Sequence, residues 1–92
     1  MSTVRRRIYY SGRVQGVGFR YTSHRLAREH GVGGYVRNSP DGRVELVAEG
    51  EPAEVRGFLD AIAAALGPKI RETDVRPEPP SEAPLSGFTI LH

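Results

Sequence analysis

Residues 12–20, Gly-Arg-Val-Gln-Gly-Val-Gly-Phe-Arg, form the segment of this 92-residue chain whose residue types and spacing best suit chemistry on an anion. Successive backbone N–H groups of a glycine-rich loop can turn toward one point, and the N-terminus of a following helix adds unpaired donors and partial positive charge. Arg20 ends the segment with a guanidinium that can hold two phosphate oxygens at once. The spacing fits a phosphate site and a tight strand-to-helix turn equally well, so by itself it favours neither.

Other kinds of reactive site find little support in the sequence. The chain has no cysteine, which excludes thiolate metal ligands, disulfides and a cysteine nucleophile. No Gly-Lys-Ser/Thr follows Gly18, and the third glycine of a dinucleotide fingerprint is missing. His24 and His30 are six residues apart and therefore lie on different sides of a helix. We predict no metal site and no cofactor.

The charge of the chain is unevenly distributed. Residues 1–46 carry nine arginines against three acidic residues, a net charge of +6, whereas residues 47–92 carry four basic against eight acidic residues, a net charge of −4. Twelve of the 13 basic residues are arginine, whose rigid fork suits phosphate and carboxylate oxygens. The first half therefore suggests an anionic partner, with most of its arginines expected on a solvated surface.

The elements that must position residues 12–20 follow from the pattern of apolar residues. Strands are predicted where β-branched and aromatic residues cluster or alternate, and helices where good helix formers carry apolar residues at helical spacing. In chain order we predict a strand over 4–14, a loop over 15–20, a helix over 21–30, strands over 32–39 and 43–49, a helix from near Pro52 to Gly67-Pro68, a strand over 70–76, an irregular stretch over 77–86 and a short strand over 87–91.

The boundaries and faces of these elements indicate the fold class. Gly31 stands where a glycine commonly ends a helix, and Pro40-Asp41-Gly42 is typical of a hairpin turn. In the strand over 43–49 apolar and charged residues alternate, which predicts one covered face. The β-α-β-β-α-β order, extended by one edge strand, predicts an α+β protein, a ferredoxin-like two-layer sandwich with an antiparallel sheet and two helices on one face. We expect a single domain over residues 1–92.

Two motifs give the chain a resemblance to the acylphosphatase family. Residues 12–20 match that family's first signature, G-x-V-Q-G-V-x-F-R, at every defined position. The second signature is G-aromatic-V-x-N, then three residues and G-x-V, then five residues and G. It is matched from Gly34 through Asn38 and Gly42 to Gly50. The spacing of the motifs and the total length are also similar, so the resemblance covers essentially the whole chain.

The resemblance implies an acylphosphatase, a metal-independent enzyme that hydrolyses the carboxyl-phosphate bond of acyl phosphates to a carboxylate and inorganic phosphate. By motif position, phosphate binding falls on Arg20 with the backbone N–H groups of the loop, and positioning of the attacking water falls on Asn38. The family often has tryptophan where this chain has Tyr35, a change that touches no reacting group. The predicted substrate-binding residues are Gln15, Gly16, Val17, Gly18, Phe19 and Arg20.

Two further functions are compatible with the same elements. Acylphosphatase-like domains also occur attached to larger carbamoyl-transfer proteins, which suggests a non-catalytic binding or accessory module; the end of this chain at His92 favours a free-standing enzyme. An RNA-binding module would need stacking aromatics on its central strands, and residues 43–49 contain none. We expect no membrane partner, because no apolar run exceeds six residues, and a cytoplasmic location, because no apolar signal region follows residues 5–7. We also expect a monomer that binds no nucleic acid.

Overall fold

The computed structural model describes residues 2–83 and 85–92, with every side chain among them except that of Val17. The predicted order of two helices and five strands is confirmed. One strand ends two residues earlier than expected and another two residues later, and Pro84 of the predicted irregular stretch lies outside the described residues. The elements are β1 (Val4–Gly12), α1 (Val17–His30), β2 (Gly33–Asn38), β3 (Val44–Gly50), α2 (Pro52–Leu66), a 3-10 turn (Gly67–Lys69), β4 (Ile70–Glu78) and β5 (Phe88–Leu91).

The five strands form one sheet in the order β4-β1-β3-β2-β5. Pairing is antiparallel from β4 to β2, but β5 runs parallel to β2, with Gly34 beside Phe88 and Arg37 beside Leu91. The prediction of a wholly antiparallel sheet is therefore wrong at this edge. The cause is topological, because β4 and β5 occupy opposite edges. The segment between them crosses the sheet and turns the chain back in the direction of β2.

Apolar side chains of both helices and of one sheet face form the core, which confirms the predicted two-layer sandwich. Ile8 of β1, Leu46 of β3 and Phe58 of α2 have no exposed side-chain surface. Burying a side chain of this size stabilises a fold by roughly 1.5–3 kcal/mol. The start of α2 and the end of α1 agree with prediction, since Pro52 occupies the first turn of α2 and Gly31 ends α1 in the left-handed conformation.

The other face of the sheet carries paired charges. Arg5 and Arg7 of β1 bind Glu49 and Glu45 of β3, and both also bind Glu78 of β4. Glu45 and Glu49 are only 3% exposed, so the prediction that only one face of β3 is covered is wrong. Arg5 and Arg7 also depart from the expectation of solvated arginines, because β1 is a central strand whose neighbours supply the carboxylates.

Glu49 also holds the segment that crosses the sheet. Its carboxylate accepts hydrogen bonds from the backbone N–H groups of Ser81 and Leu85, at 3.2 and 3.3 Å. Burial alone would raise the pKa of Glu49, but these N–H groups, the Ser81 hydroxyl and Arg5 outweigh burial and lower it. The ion pairs therefore fix both the sheet and the path by which the chain reaches β5.

Candidate active site

Helix α1 begins one turn earlier than its sequence suggested. The structure places Val17, Gly18, Phe19 and Arg20 in its first turn, with Gly16 as the N-cap, whereas the glycines predicted a loop through residue 20. The backbone N–H groups of a first helical turn have no partner within the helix. The backbone N–H groups of residues 17–20, which were predicted to lie in a loop, therefore point along the axis of α1.

The N-terminus of α1, at Gly16, has neither a side-chain cap nor an acidic residue in its first turn. A helix N-terminus carries about half a positive charge, which an acidic side chain or an anion stabilises. The start of α1 is therefore a ready anion-binding position.

Arg20 lies on the first turn of α1 and contacts the last residue of the chain. Its Nη1 is 3.3 Å from Nδ1 of His92, while its Nε is buried and has no hydrogen-bond partner in the described part of the protein. A buried N–H group without a partner costs roughly 1–3 kcal/mol. Nη1 of the guanidinium thus contacts His92, whereas the Nε–H donor has no acceptor in the described part of the protein.

Asn38 is the last residue of β2. The parallel register places Arg37 beside Leu91, the residue before His92, and His92 contacts Arg20. Oδ1 of Asn38 is buried and, among the described residues, has no hydrogen-bond partner. Each of the two side chains that the family motifs single out thus has a buried polar atom without a partner in the described part of the chain, and the end of the chain connects Arg20 with the strand beside β2.

Gln15 ties the start of the site to the hairpin that follows Asn38. Its Nε2 donates to the backbone carbonyl oxygens of Ser39 at 2.7 Å and Arg43 at 3.0 Å. The side-chain amide is therefore engaged by protein groups and braces Asn38 against the loop. Of the donors of Gln15, the backbone N–H is the one left for the predicted phosphate.

The hairpin turn itself is held by Asp41, as predicted. Its carboxylate accepts from the backbone N–H of Arg43 at 3.0 Å and from the Arg43 guanidinium at 2.8 Å. These bonds, chiefly the side-chain one, lower the pKa of Asp41 to about 2. Asp41 is therefore a turn-forming carboxylate and offers no proton near neutral pH.

Phe19 anchors the first turn of α1 in the core. Its side chain is 2% exposed, and its ring centroid lies 5.2 Å from that of Tyr10. Within the site it can offer only its backbone N–H. The first turn is thus rigidly seated, which fixes the direction of its donors.

Two motif glycines serve the backbone rather than a ligand. A Cβ atom at Gly12 would lie 2.5 Å from the carbonyl oxygen of Lys69, and one at Gly34 would overlap the carbonyl oxygen of Val47. Both residues have positive φ, 125° and 138°. Sequence reasoning missed this role, since spacing does not reveal which backbone lies opposite a glycine.

Neither a metal centre nor a membrane span is found in the described part of the chain. No three His, Cys, Asp or Glu residues among 2–83 and 85–92 are grouped to hold a metal ion. Neither described helix is long and apolar enough to cross a membrane. The polar groups described at the start of α1 and the end of β2 are backbone N–H groups, one guanidinium and one amide.

The fold and the candidate site together define an α+β protein with an uncapped helix terminus, an arginine with a buried unpartnered Nε and an asparagine with a buried unpartnered Oδ1 in its described part. The family model described as Acylphosphatase matches residues 6–90, which is most of the chain. The chain belongs to the acylphosphatase family, and the predicted family and enzyme class are confirmed.

Individual relatives agree with this assignment. An acylphosphatase of Thermococcus kodakarensis is 43% identical over 94 residues, covering 99% of each chain. The crystal structure of acylphosphatase from Bacillus subtilis matches with a TM-score of 0.86 and 34% identity, over 97% of this chain and 99% of that one. A full-length HypF structure in a phosphate- and nucleotide-bound form matches with a TM-score of 0.83 and 28% identity, over 99% of this chain but 12% of that one.

Proposed function

We propose that the protein hydrolyses acyl phosphates to a carboxylate and inorganic phosphate without a metal ion. Arg20 and the backbone N–H groups of residues 15–20 bind the phosphoryl group, and Asn38 positions the attacking water. One observation carries these roles. In the described part of the chain, the two buried side-chain polar atoms without a partner are Nε of Arg20 and Oδ1 of Asn38. A donor and an acceptor are thus left for a phosphate oxygen and a water.

The reaction asks little of the protein beyond charge neutralisation and alignment. The carboxylate of an acyl phosphate is a good leaving group, and phosphoryl transfer depends mainly on positioning and electrostatic stabilisation. The water oxygen attacks phosphorus, the bond from phosphorus to the acyl oxygen breaks, and its electron pair leaves with the carboxylate. The side chain of Asn38 can accept one hydrogen bond from the water and donate another.

The proton of the attacking water goes to a phosphate oxygen of the substrate. Asn38 has no protonatable nitrogen in the neutral range, so it cannot serve as the base. Asp41 is committed to Arg43 in the turn and holds no free acceptor of suitable basicity. A substrate-assisted transfer therefore needs no further residue of the chain.

The first experiment is hydrolysis of benzoyl phosphate in the presence of a chelator. The wild-type protein is expected to turn over at the same rate with and without chelator, and Arg20→Gln is expected to lose turnover. Arg25→Gln is the matched control, because Arg25 lies on the same helix and is exposed to solvent. Strong sensitivity to the chelator would contradict the metal-free reaction.

The accessory-module alternative is favoured by the match to HypF, in which a domain of this fold makes up 12% of a longer chain. A wild-type protein that binds inorganic phosphate but hydrolyses no acyl phosphate would support that alternative. The RNA-binding alternative is weakened by the two tyrosines of β1. Tyr10 is buried in the core, and the ring of Tyr9 is covered by the guanidinium groups of Arg43 and Arg76 at 4.3 and 5.1 Å.

The remaining sequence predictions belong to the same proposal. They are a single domain over residues 1–92, a monomer, a cytoplasmic location and the absence of a nucleic-acid partner. Light scattering, cell fractionation and a gel shift with single-stranded RNA test the last three. A salt-dependent shift at modest RNA concentration would contradict the last of them.

A further inference from the structure

A group of three basic side chains flanks the predicted phosphate position without taking part in the proposed reaction. They are Arg13, Lys69 and Arg71, here called the basic rim. The backbone N–H of Arg13 donates to the carbonyl oxygen of Lys69 at 2.9 Å, and the backbone of Gly12 lies against Lys69 and Arg71. These contacts gather the three residues around a surface concavity of about 350 Å³.

Lys69 connects this concavity with the start of α1. Its Nζ lies 3.9 Å from the position that a Cβ atom on Gly18 would occupy. Gly18 belongs to the first turn of α1, whose N–H groups and partial positive charge face the predicted phosphate. A lysine ammonium therefore lies beside a positive helix end, an arrangement that an anion stabilises.

The basic rim also lacks acidic partners. Within residues 2–83 and 85–92, none of its three side chains forms an ion pair or a side-chain hydrogen bond, and all three are exposed. The nearest acid in sequence, Glu72, follows Arg71 in β4 and so points to the opposite face of that strand. By contrast, Arg43 and Arg76 each bind an aspartate two residues away.

We propose that the basic rim recognises a second negative charge on the acyl group of the substrate, so that the protein prefers acyl phosphates whose acyl group is itself anionic. The phosphoryl group binds Arg20 and the first turn of α1, and the distal anion lies toward Lys69, with Arg13 and Arg71 behind it. This inference rests on the proposed function. It names a substrate class for that site and assigns Lys69 to specificity.

The test compares rigid substrates that differ in one charge. The substrates are 3-carboxybenzoyl and 4-carboxybenzoyl phosphate, with 4-carbamoylbenzoyl phosphate as the neutral counterpart of similar size. Wild-type protein is expected to favour the better carboxylated substrate about fivefold in kcat/KM, the size expected of one exposed ion pair. In Lys69→Gln the ratio is expected to fall to about one through KM alone, and Lys69→Arg is expected to restore it.

Arg28→Gln serves as the matched control, since it removes one exposed positive charge near the other end of α1, about 15 Å along the helix from Gly18. It is expected to leave the substrate ratio unchanged. A wild-type ratio of about one, or a ratio that survives Lys69→Gln, would overturn the inference. An equal loss on all substrates in Lys69→Gln would also overturn it, because Lys69 would then bind the transferred phosphoryl group.

A binding measurement separates this inference from the proposed function. The probes are benzylphosphonate and 4-carboxybenzylphosphonate, which are not hydrolysed. Tighter binding of the carboxylated probe by about fivefold, lost in Lys69→Gln, supports the basic rim even if no acyl phosphate is turned over. Equal binding of both probes by the wild-type protein contradicts it even if benzoyl phosphate is hydrolysed.

Discussion

The polar face of the sheet and the start of α1 use the same residue type in opposite ways. On the sheet, Arg5 and Arg7 are bound by carboxylates of neighbouring strands. At the start of α1, Arg20 keeps a buried Nε without a partner in the described part of the chain. An arginine whose donors are all satisfied by protein stabilises a fold, whereas one left with a buried donor is prepared for a ligand.

This difference predicts that stability and activity separate in the two regions. Variants of the sheet arginines are expected to lower the free energy of unfolding and to leave the turnover of folded molecules unchanged. Variants at the start of α1 are expected to lower turnover and to leave the free energy of unfolding nearly unchanged. Each of the variants considered next is expected to change mainly one of the two quantities, the free energy of unfolding or turnover.

Arg20→Gln is expected to have the largest effect. Loss of the guanidinium removes the charged ligand of the phosphoryl group, and turnover of benzoyl phosphate is expected to fall about 10³-fold. The affinity for inorganic phosphate should fall with it, while the unfolding free energy changes little, because the substitution removes the contact of Nη1 with His92 together with the buried Nε that lacks a partner in the described part of the chain. Phosphate affinity equal to that of wild type would remove Arg20 from the site.

Arg7→Gln tests the sheet. The substitution removes one of the two cations that bind Glu45, which is 3% exposed, and one of the two that bind Glu78 in the described part of the chain, whereas Arg37 and Arg5 remain. Because several charged hydrogen bonds are lost together, the unfolding free energy is expected to fall by about 3 kcal/mol. Urea unfolding at pH 7 measures this change. The kcat of the folded protein is expected to stay within twofold of wild type, and a larger fall would tie the polar face to catalysis.

Asn38→Ala separates positioning of water from binding of phosphate. Turnover is expected to fall about 10²-fold, which is a typical loss when one oriented polar group is removed from an active site. Inorganic phosphate, measured by calorimetry, should bind with unchanged affinity. If phosphate binding were lost together with turnover, the water-positioning role would be wrong.

The pH dependence of stability is the smallest expected effect. Hydrogen bonds from Arg7 and then Arg5 lower the pKa of Glu78, and the pKa of Glu49 is lowered as well. A lowered carboxylate pKa contributes stability that is present above about pH 4.3 and is lost as pH falls through the folded-state value. We expect the unfolding free energy to fall below that pH, and Glu78→Gln to make this fall shallower. An unchanged slope in Glu78→Gln would contradict the assignment.

Local sequence patterns predicted those parts of the fold that depend on neighbours along the chain. Helical spacing located α2, and turn chemistry located the hairpin at Asp41. The burial of Glu45 and Glu49 was not predictable, because their cations lie on another strand and only the sheet order brings them together. The parallel pairing of β5 escaped prediction for the same reason.

The sequence predicted which residues supply the donors of the candidate site, but not how those residues are arranged. The motif named Arg20 and Asn38, and the structure adds that His92 contacts Arg20 and follows Leu91, which pairs with Arg37 of β2. The early start of α1 was missed because glycines at 16 and 18 are typical of loops, while Phe19 packing against Tyr10 seats the first turn in the core. Lys69 carried no sequence signal, since its position depends on the contact between the β1 end and the 3-10 turn.

The central claim is that the unsatisfied polar groups around α1, and not the paired arginines of the sheet, receive the phosphate. A nitrogen-15 NMR titration with inorganic phosphate observes both regions in one experiment, through the Nε–H signals of Arg20, Arg5 and Arg7 and the backbone N–H signals of residues 16–20. We predict that the signals of Arg20 and residues 16–20 shift together and saturate, while those of Arg5 and Arg7 stay in place. A stationary Arg20 signal, or saturating shifts at Arg5 and Arg7, would contradict the account.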